Sequence, residues 1–129
     1  MPTLFTKIIQ GEIPCHKLLE DERFLSFLDI RPINPGHALV IPKKEIDYVF
    51  NVDDDLLKDI LIFARQVARA IEKTVSCKRI GIMVAGLEVP HCHFHLVPIN
   101  SVSDLNFAKA QAASQEDLAA LAEKIRSNF

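Results

Sequence analysis

Apolar residues recur along this chain with two spacings. Between Asn51 and about Thr74, Leu56, Leu57, Ile60, Phe63, Ala64, Val67, Ala68 and Ile71 return every three or four positions, the repeat of one face of an α-helix. Asn51 or Asp53 is placed to cap its start. The carboxylates of Asp53, Asp54 and Asp55 suit the positive end of the helix dipole, with a metal-binding acidic cluster as the competing reading. Inside the helix, Ile60 to Ala64 is apolar without a break. A stretch apolar all round is covered on more than one side, and in so small a domain a second subunit is the expected cover.

The other apolar runs are strand-length. Lys17–Glu20, Phe24–Asp29, His37–Pro42, Arg79–Ala85 and His91–Ile99 predict five strands. Asp21-Glu22 marks a turn, and Asn34-Pro35-Gly36-His37 has Pro and Gly where a type II turn wants them. Thr3 is placed to cap a short helix through Ile9, which Gly11 ends. Ser114-Gln115-Glu116-Asp117 opens a C-terminal helix running toward Ser127. Strands in succession, with helices set apart, predict an α+β fold: a mainly antiparallel five-stranded sheet, one long helix and a C-terminal helix. No repeat or linker divides the chain, so 1–129 reads as a single domain.

Charge narrows the function. Fifteen Lys and Arg against 17 Asp and Glu give a formal charge of −2. Such a balance provides no field for a nucleic acid polymer or an acidic membrane surface, while leaving room for a local phosphate site. The start lacks a signal-peptide apolar core, and no apolar run approaches the ~20 residues of a membrane helix. Cys15, Cys77 and Cys92 are odd in number and widely spaced, which fits a reducing compartment rather than a disulfide framework. A cytoplasmic protein is expected.

Chemistry concentrates in His91-Cys92-His93-Phe94-His95-Leu96-Val97. Five histidines scattered at random would produce His-x-His-x-His with an expectation of roughly 0.007. On a strand these three share one face, about 6.5–7 Å apart in sequence order, while Cys92, Phe94 and Leu96 face the core. One reading is a polar face with no task. A second is a metal site, which needs a third ligand; the next acid is Asp104, and His37 is the other candidate. A third is phosphoryl chemistry by imidazole itself. Imidazole has an ordinary pKa of ~6.5 and is a competent neutral nucleophile near pH 7. A backbone carbonyl holding one ring nitrogen frees the other to attack phosphorus, forming a covalent intermediate that water cleaves.

The motif HCHFHLV resembles the signature of the histidine triad (HIT) family of nucleotide hydrolases and transferases, His-φ-His-φ-His-φ-φ with φ apolar. The resemblance extends over KIIQGEIP, Leu28-Asp29-Ile30 and PGHALVIPKK, from Leu4 to about Ile99. It implies that His93 is the nucleophile, that His91 and His95 contact its surroundings and the phosphate, and that His37 supports them. Asp29 and Ile30 are implied to line the ribose and base pocket. Two residues have plainer readings as well: Asp29 as a strand terminator, His37 as the first residue after a turn. Lys43-Lys44 reads as a solvated strand end or a phosphate contact.

Before the triad, the family's phosphoramidase branch carries an Asn and a longer loop with a Ser. Here Ala85-Gly86-Leu87-Glu88-Val89-Pro90 intervenes, with Glu88 where the Ser would stand and Val89 beside it at the nucleotide site. Some bacterial members hold structural zinc through an N-terminal CxxC. Thr3 and Thr6 occupy those positions, so no such metal and no cofactor are expected. The resemblance thus implies a homodimer that hydrolyses a nucleoside phosphoramidate or related nucleotide through a nucleotidyl-histidine. The alternatives are a dinucleoside polyphosphate hydrolase and a nucleotide-binding scaffold.

Overall fold

A computed structural model describes residues 2–129. The chain builds α1 (Leu4–Ile9), β1 (Lys17–Glu20), β2 (Phe24–Leu28), β3 (Ala38–Pro42), α2 (Asp54–Thr74), β4 (Arg79–Met83), β5 (Phe94–Ile99) and α3 (Gln115–Arg126). The strands form one sheet in the order β1-β2-β3-β5-β4, each pair antiparallel. This is the α+β architecture the runs predict. Among the described residues, no helix is long and apolar enough to cross a membrane.

Strand alternation divides the core between the two sheet faces. Phe24, Leu28, Ala38, Val40, Phe94 and Leu96 pack against Ile60, Phe63, Ala64, Val67 and Ile71 of α2 and Leu118, Ala122 and Ile125 of α3. Leu25, Phe27, Leu39 and Ile41 look the other way and are covered by Phe5 of α1. Helix α1 forms as the sequence suggests: Thr3 Oγ1 accepts from Thr6 N–H (3.0 Å), and Gly11 has φ 81° just past the helix. In the turn before β3, His37 N–H donates to Asn34 O (3.0 Å) and Gly36 has φ 96°, the conformation glycine tolerates best.

Five boundaries differ from the sequence reading. β5 begins at Phe94, not His91. The His91 and Cys92 amides donate to Val89 O and Ile46 O, so the ladder with β3 cannot reach them. The alternation of side chains nevertheless continues upstream, with Cys92 in the α2-side core. Asp29 and His37 lie just outside β2 and β3, joined by Asp29 N–H donating to His37 O (3.0 Å). β4 stops at Met83. Helix α2 starts at Asp54 because Val49–Asn51 winds into a 3-10 turn. Asp53 holds the capping position, but its carboxylate goes to Lys44 Nζ (2.6 Å) instead of the helix amides.

Candidate active site

Three elements converge on the face that α1 covers. His95 stands on β5 opposite Leu39 of β3, and His37 lies two residues before Leu39 on the same side. His93 precedes β5 by one residue, with its ring centroid 5.0 Å from that of His95. Phe5 of α1 meets His93 and His91 edge-on, at 5.0 and 5.8 Å. All four histidines are buried.

Hydrogen counting fixes how these rings are protonated. Ile33 N–H donates to His37 Nδ1 (3.0 Å), so the neutral ring carries its hydrogen on Nε2. That Nε2–H donates to His95 Nδ1 (2.9 Å), which leaves His95 with its hydrogen on Nε2. His93 Nδ1–H donates to the His91 carbonyl (2.6 Å), so the lone pair sits on His93 Nε2. His91 Nε2–H donates to Pro42 O (2.8 Å), and its Nδ1 lies 2.9 Å from Thr3 Oγ1.

Burial favours the neutral form of His37, His91 and His95. It pushes His95 down to about 3, helped by the neighbouring charges that His37 and His93 would carry. His37 is also lowered by burial, against the opposing pull of the Asp29 carboxylate 3.5 Å from its Nε2. His91 is lowered by burial too. Asp29 Oδ2, His37 Nε2 and His95 Nδ1 lie within 4.8 Å of one another, the one grouping of metal-ligand type among the described residues. Its donor set does not fit a metal. Ile33 N–H already takes the His37 Nδ1 lone pair, so binding a cation at Nε2 would displace the only ring hydrogen and leave two donors' worth of demand on one neutral ring.

A cavity of about 320 Å³ opens beside His93 and His95, within the range of small-ligand sites. Asp29, Ile30, Glu88 and Val89, all singled out from the sequence, line it. So do Leu4, Phe5 and Ile8 from α1, along with Cys15, Phe27, Arg31 and Leu39. The α1 contribution was readable in principle, since Phe5, Ile8 and Ile9 follow helical spacing. A smaller cavity of about 140 Å³ shares Glu88, His93 and His95 with the first and is closed by Ala85, Leu87 and Phe107. No local pattern marks Phe107, whose ring lies 4.9 Å from that of His95.

His37 and His91 are not among the residues lining the larger cavity, and His37 reaches it through His95 and Asp29. Lys43 and Lys44 are engaged elsewhere, with Glu20 (2.7 Å) and Asp53 (2.6 Å).

The HIT domain family profile matches residues 10–102. This chain belongs to the HIT family. It is 37% identical to the adenosine 5′-monophosphoramidase of Schizosaccharomyces pombe over 132 residues, covering 100% of this chain and 99% of that one. The HIT-like protein of Bartonella henselae superimposes with a TM-score of 0.87 at 31% identity, over 98% of this chain and 96% of that one. A zinc-bound histidine triad protein of Mycobacterium smegmatis gives a TM-score of 0.83 at 26% identity, over 97% and 91%. HIT membership and its fold match the resemblance carried by HCHFHLV, and the phosphoramidase relatives support a nucleotide hydrolase.

Proposed function

We propose that this HIT protein hydrolyses nucleoside 5′-phosphoramidates through a covalent nucleotidyl-His93. One observation carries the reading: His93 Nδ1–H is anchored on the His91 carbonyl, leaving the Nε2 lone pair for the cavity. That lone pair attacks phosphorus, and the P–N bond breaks with its electron pair going to the departing nitrogen. The amine takes one proton from the medium. Water then attacks phosphorus, the P–Nε2 bond breaks, and the proton water loses restores the balance. His95 offers its Nε2–H to charge developing at the phosphoryl group. His37 fixes that tautomer through the chain Ile33 N–H, His37, His95. Asp29, Ile30, Glu88 and Val89 are assigned to the nucleotide. Both ring nitrogens of His91 are spent within the protein, so its part is to hold His93.

The test is a rapid-quench assay with labelled adenosine phosphoramidate. A nucleotidyl-protein species forms in the wild type, and His93→Ala loses it while circular dichroism stays unchanged. Activity abolished by a chelator and restored by zinc overturns the reading, as does turnover retained in His93→Ala.

The same reading includes a homodimer in a reducing, cytoplasmic setting, where three free thiols persist. Ile60, Phe63 and Ala64 are buried, whereas Leu61, Ile62 and, on β4, Ile82 are about half exposed (49%, 54% and 50%). These exposed residues line one groove between α2 and β4, and β4 is a sheet edge. A second copy laid on this groove covers both the apolar surface and the open edge. Sedimentation at micromolar concentration gives a dimer, and Ile62→Glu a folded monomer. A wild-type monomer contradicts the assignment.

A further inference from the structure

The start of the chain reaches the catalytic segment through a short run of hydrogen bonds whose direction is fully determined. Glu45 lies at its outer end, with its carboxylate accepting from Thr3 N–H (2.8 Å) and from Thr6 O–H (2.6 Å). A carboxylate can only accept here, so the Thr6 hydrogen is committed to it. Thr3 Oγ1 accepts from Thr6 N–H (3.0 Å) and keeps one hydrogen to give, with Thr6 Oγ1 (3.2 Å) and His91 Nδ1 (2.9 Å) in reach. His91 settles the choice. Its Nε2 must carry the ring hydrogen in order to meet Pro42 O (2.8 Å), so its Nδ1 is a bare lone pair inside the protein and needs a donor. Thr3 O–H is the donor. The His91 ring is therefore clamped at both nitrogens, with no exposed surface.

We propose that Thr3 is a positioning residue for His93, acting through His91. The His91 carbonyl is the acceptor that orients the His93 ring (2.6 Å), and a ring clamped at both ends cannot swivel and carry that carbonyl with it. The same threonine caps α1, whose Phe5 meets both His91 and His93 edge-on. One hydroxyl thus sets the cavity wall and the nucleophile in register. Removing it leaves His91 Nδ1 buried without a partner, and the ring turns to find one. Because misplacing a reacting group by about 1 Å costs up to about a hundredfold, the effect falls on kcat more than on KM.

The kinetic arm rests on the proposed function, and the spectroscopic arm does not. Thr3→Val lowers kcat about tenfold, and Thr3→Ser restores it to within about twofold of wild type. Thr6→Val loosens the start of α1 without touching His91 Nδ1, lowering Tm while leaving kcat near wild type. Ring nitrogen NMR of the wild type shows His91 protonated on Nε2 alone and His93 on Nδ1, and Thr3→Val shifts both rings. If Thr3→Val does not fold, Thr3→Asp keeps a capping oxygen but has no hydrogen to give, so His91 acquires one on Nδ1.

Wild-type His91 protonated on Nδ1 overturns the proposal. So does kcat unchanged in folded Thr3→Val, an equal kcat loss in Thr6→Val, or a His91 ring unaltered in Thr3→Asp. A wild type that hydrolyses no phosphoramidate overturns the proposed function instead, and the ring spectra still decide whether Thr3 holds His91.

Discussion

Glu88 borders both cavities that meet at His93 and His95, and the smaller one has no cation in its wall. A carboxylate about 4 Å from a departing charge interacts by about 1 kcal/mol in water, the appropriate limit for so exposed a group. A carboxylate so placed is expected to favour a leaving group that is neutral or positive, such as an aminoalkyl amine, and to oppose a polyphosphate. Glu88→Gln is expected to shift the kcat/KM ratio of a diadenosine polyphosphate over an aminoalkyl phosphoramidate upward by about fivefold. An unchanged ratio means that Glu88 does not sense the leaving group. At this scale the triad was legible because alternation on an extended segment put three rare side chains on one face. Thr3 was legible as a helix cap and as the residue at a CxxC position, not as a partner of His91. Its bond to His91 spans 88 positions and exists only once α1 has docked. Phe107 was illegible because only the 3-10 turn at Phe107–Lys109 brings its ring against His95.

The turn ahead of β3 decides where His37 sits. Gly36 has φ 96°, and a β-carbon there would meet Ile71 Cγ2 and Pro98 Cγ at 3.2 Å. Gly36→Ala therefore combines backbone strain with crowding against α2 and β5, at about 1–3 kcal/mol. Lower Tm together with lower kcat is the expected outcome. An alanine variant as stable and active as wild type shows that the turn accommodates a side chain. This turn was fully readable, since Pro35 and Gly36 specify its geometry locally. The start of β5 was not, because apolar and polar positions continue to alternate past the point where the ladder ends. The turn at Val102–Asp104 had a signal that went unread: Ser101 and Asp104 form a reciprocal capping box.

Across the whole molecule, the buried imidazoles make stability depend on pH. His37, His91 and His95 are each held below the ordinary value of 6.5. The unfolded chain therefore binds more protons than the folded one as pH drops below 6.5, and stability falls. Each histidine held neutral contributes a slope of ~1.4 kcal/mol per pH unit, continuing for His95 to about pH 3. Urea unfolding at pH 7.5, 6 and 5 is expected to show steadily lower midpoints, and a flat profile between 7 and 5 contradicts these assignments. The fold class was legible because strand runs and one long helix leave few ways to bury two sheet faces. The packing of α3 was not, although its existence was. The family match ends at residue 102, yet Leu118, Ala122 and Ile125 complete the core against α2, β1 and β2. Ala113 N–H and Gln111 N–H also tie the intervening segment to Ile30 O and Pro32 O. During synthesis, then, the ribosome releases every histidine of the site before the residues that seal the core behind them. With α2 alone the α2-side face of the sheet is only partly covered, and its cover is complete only when residue 125 has emerged.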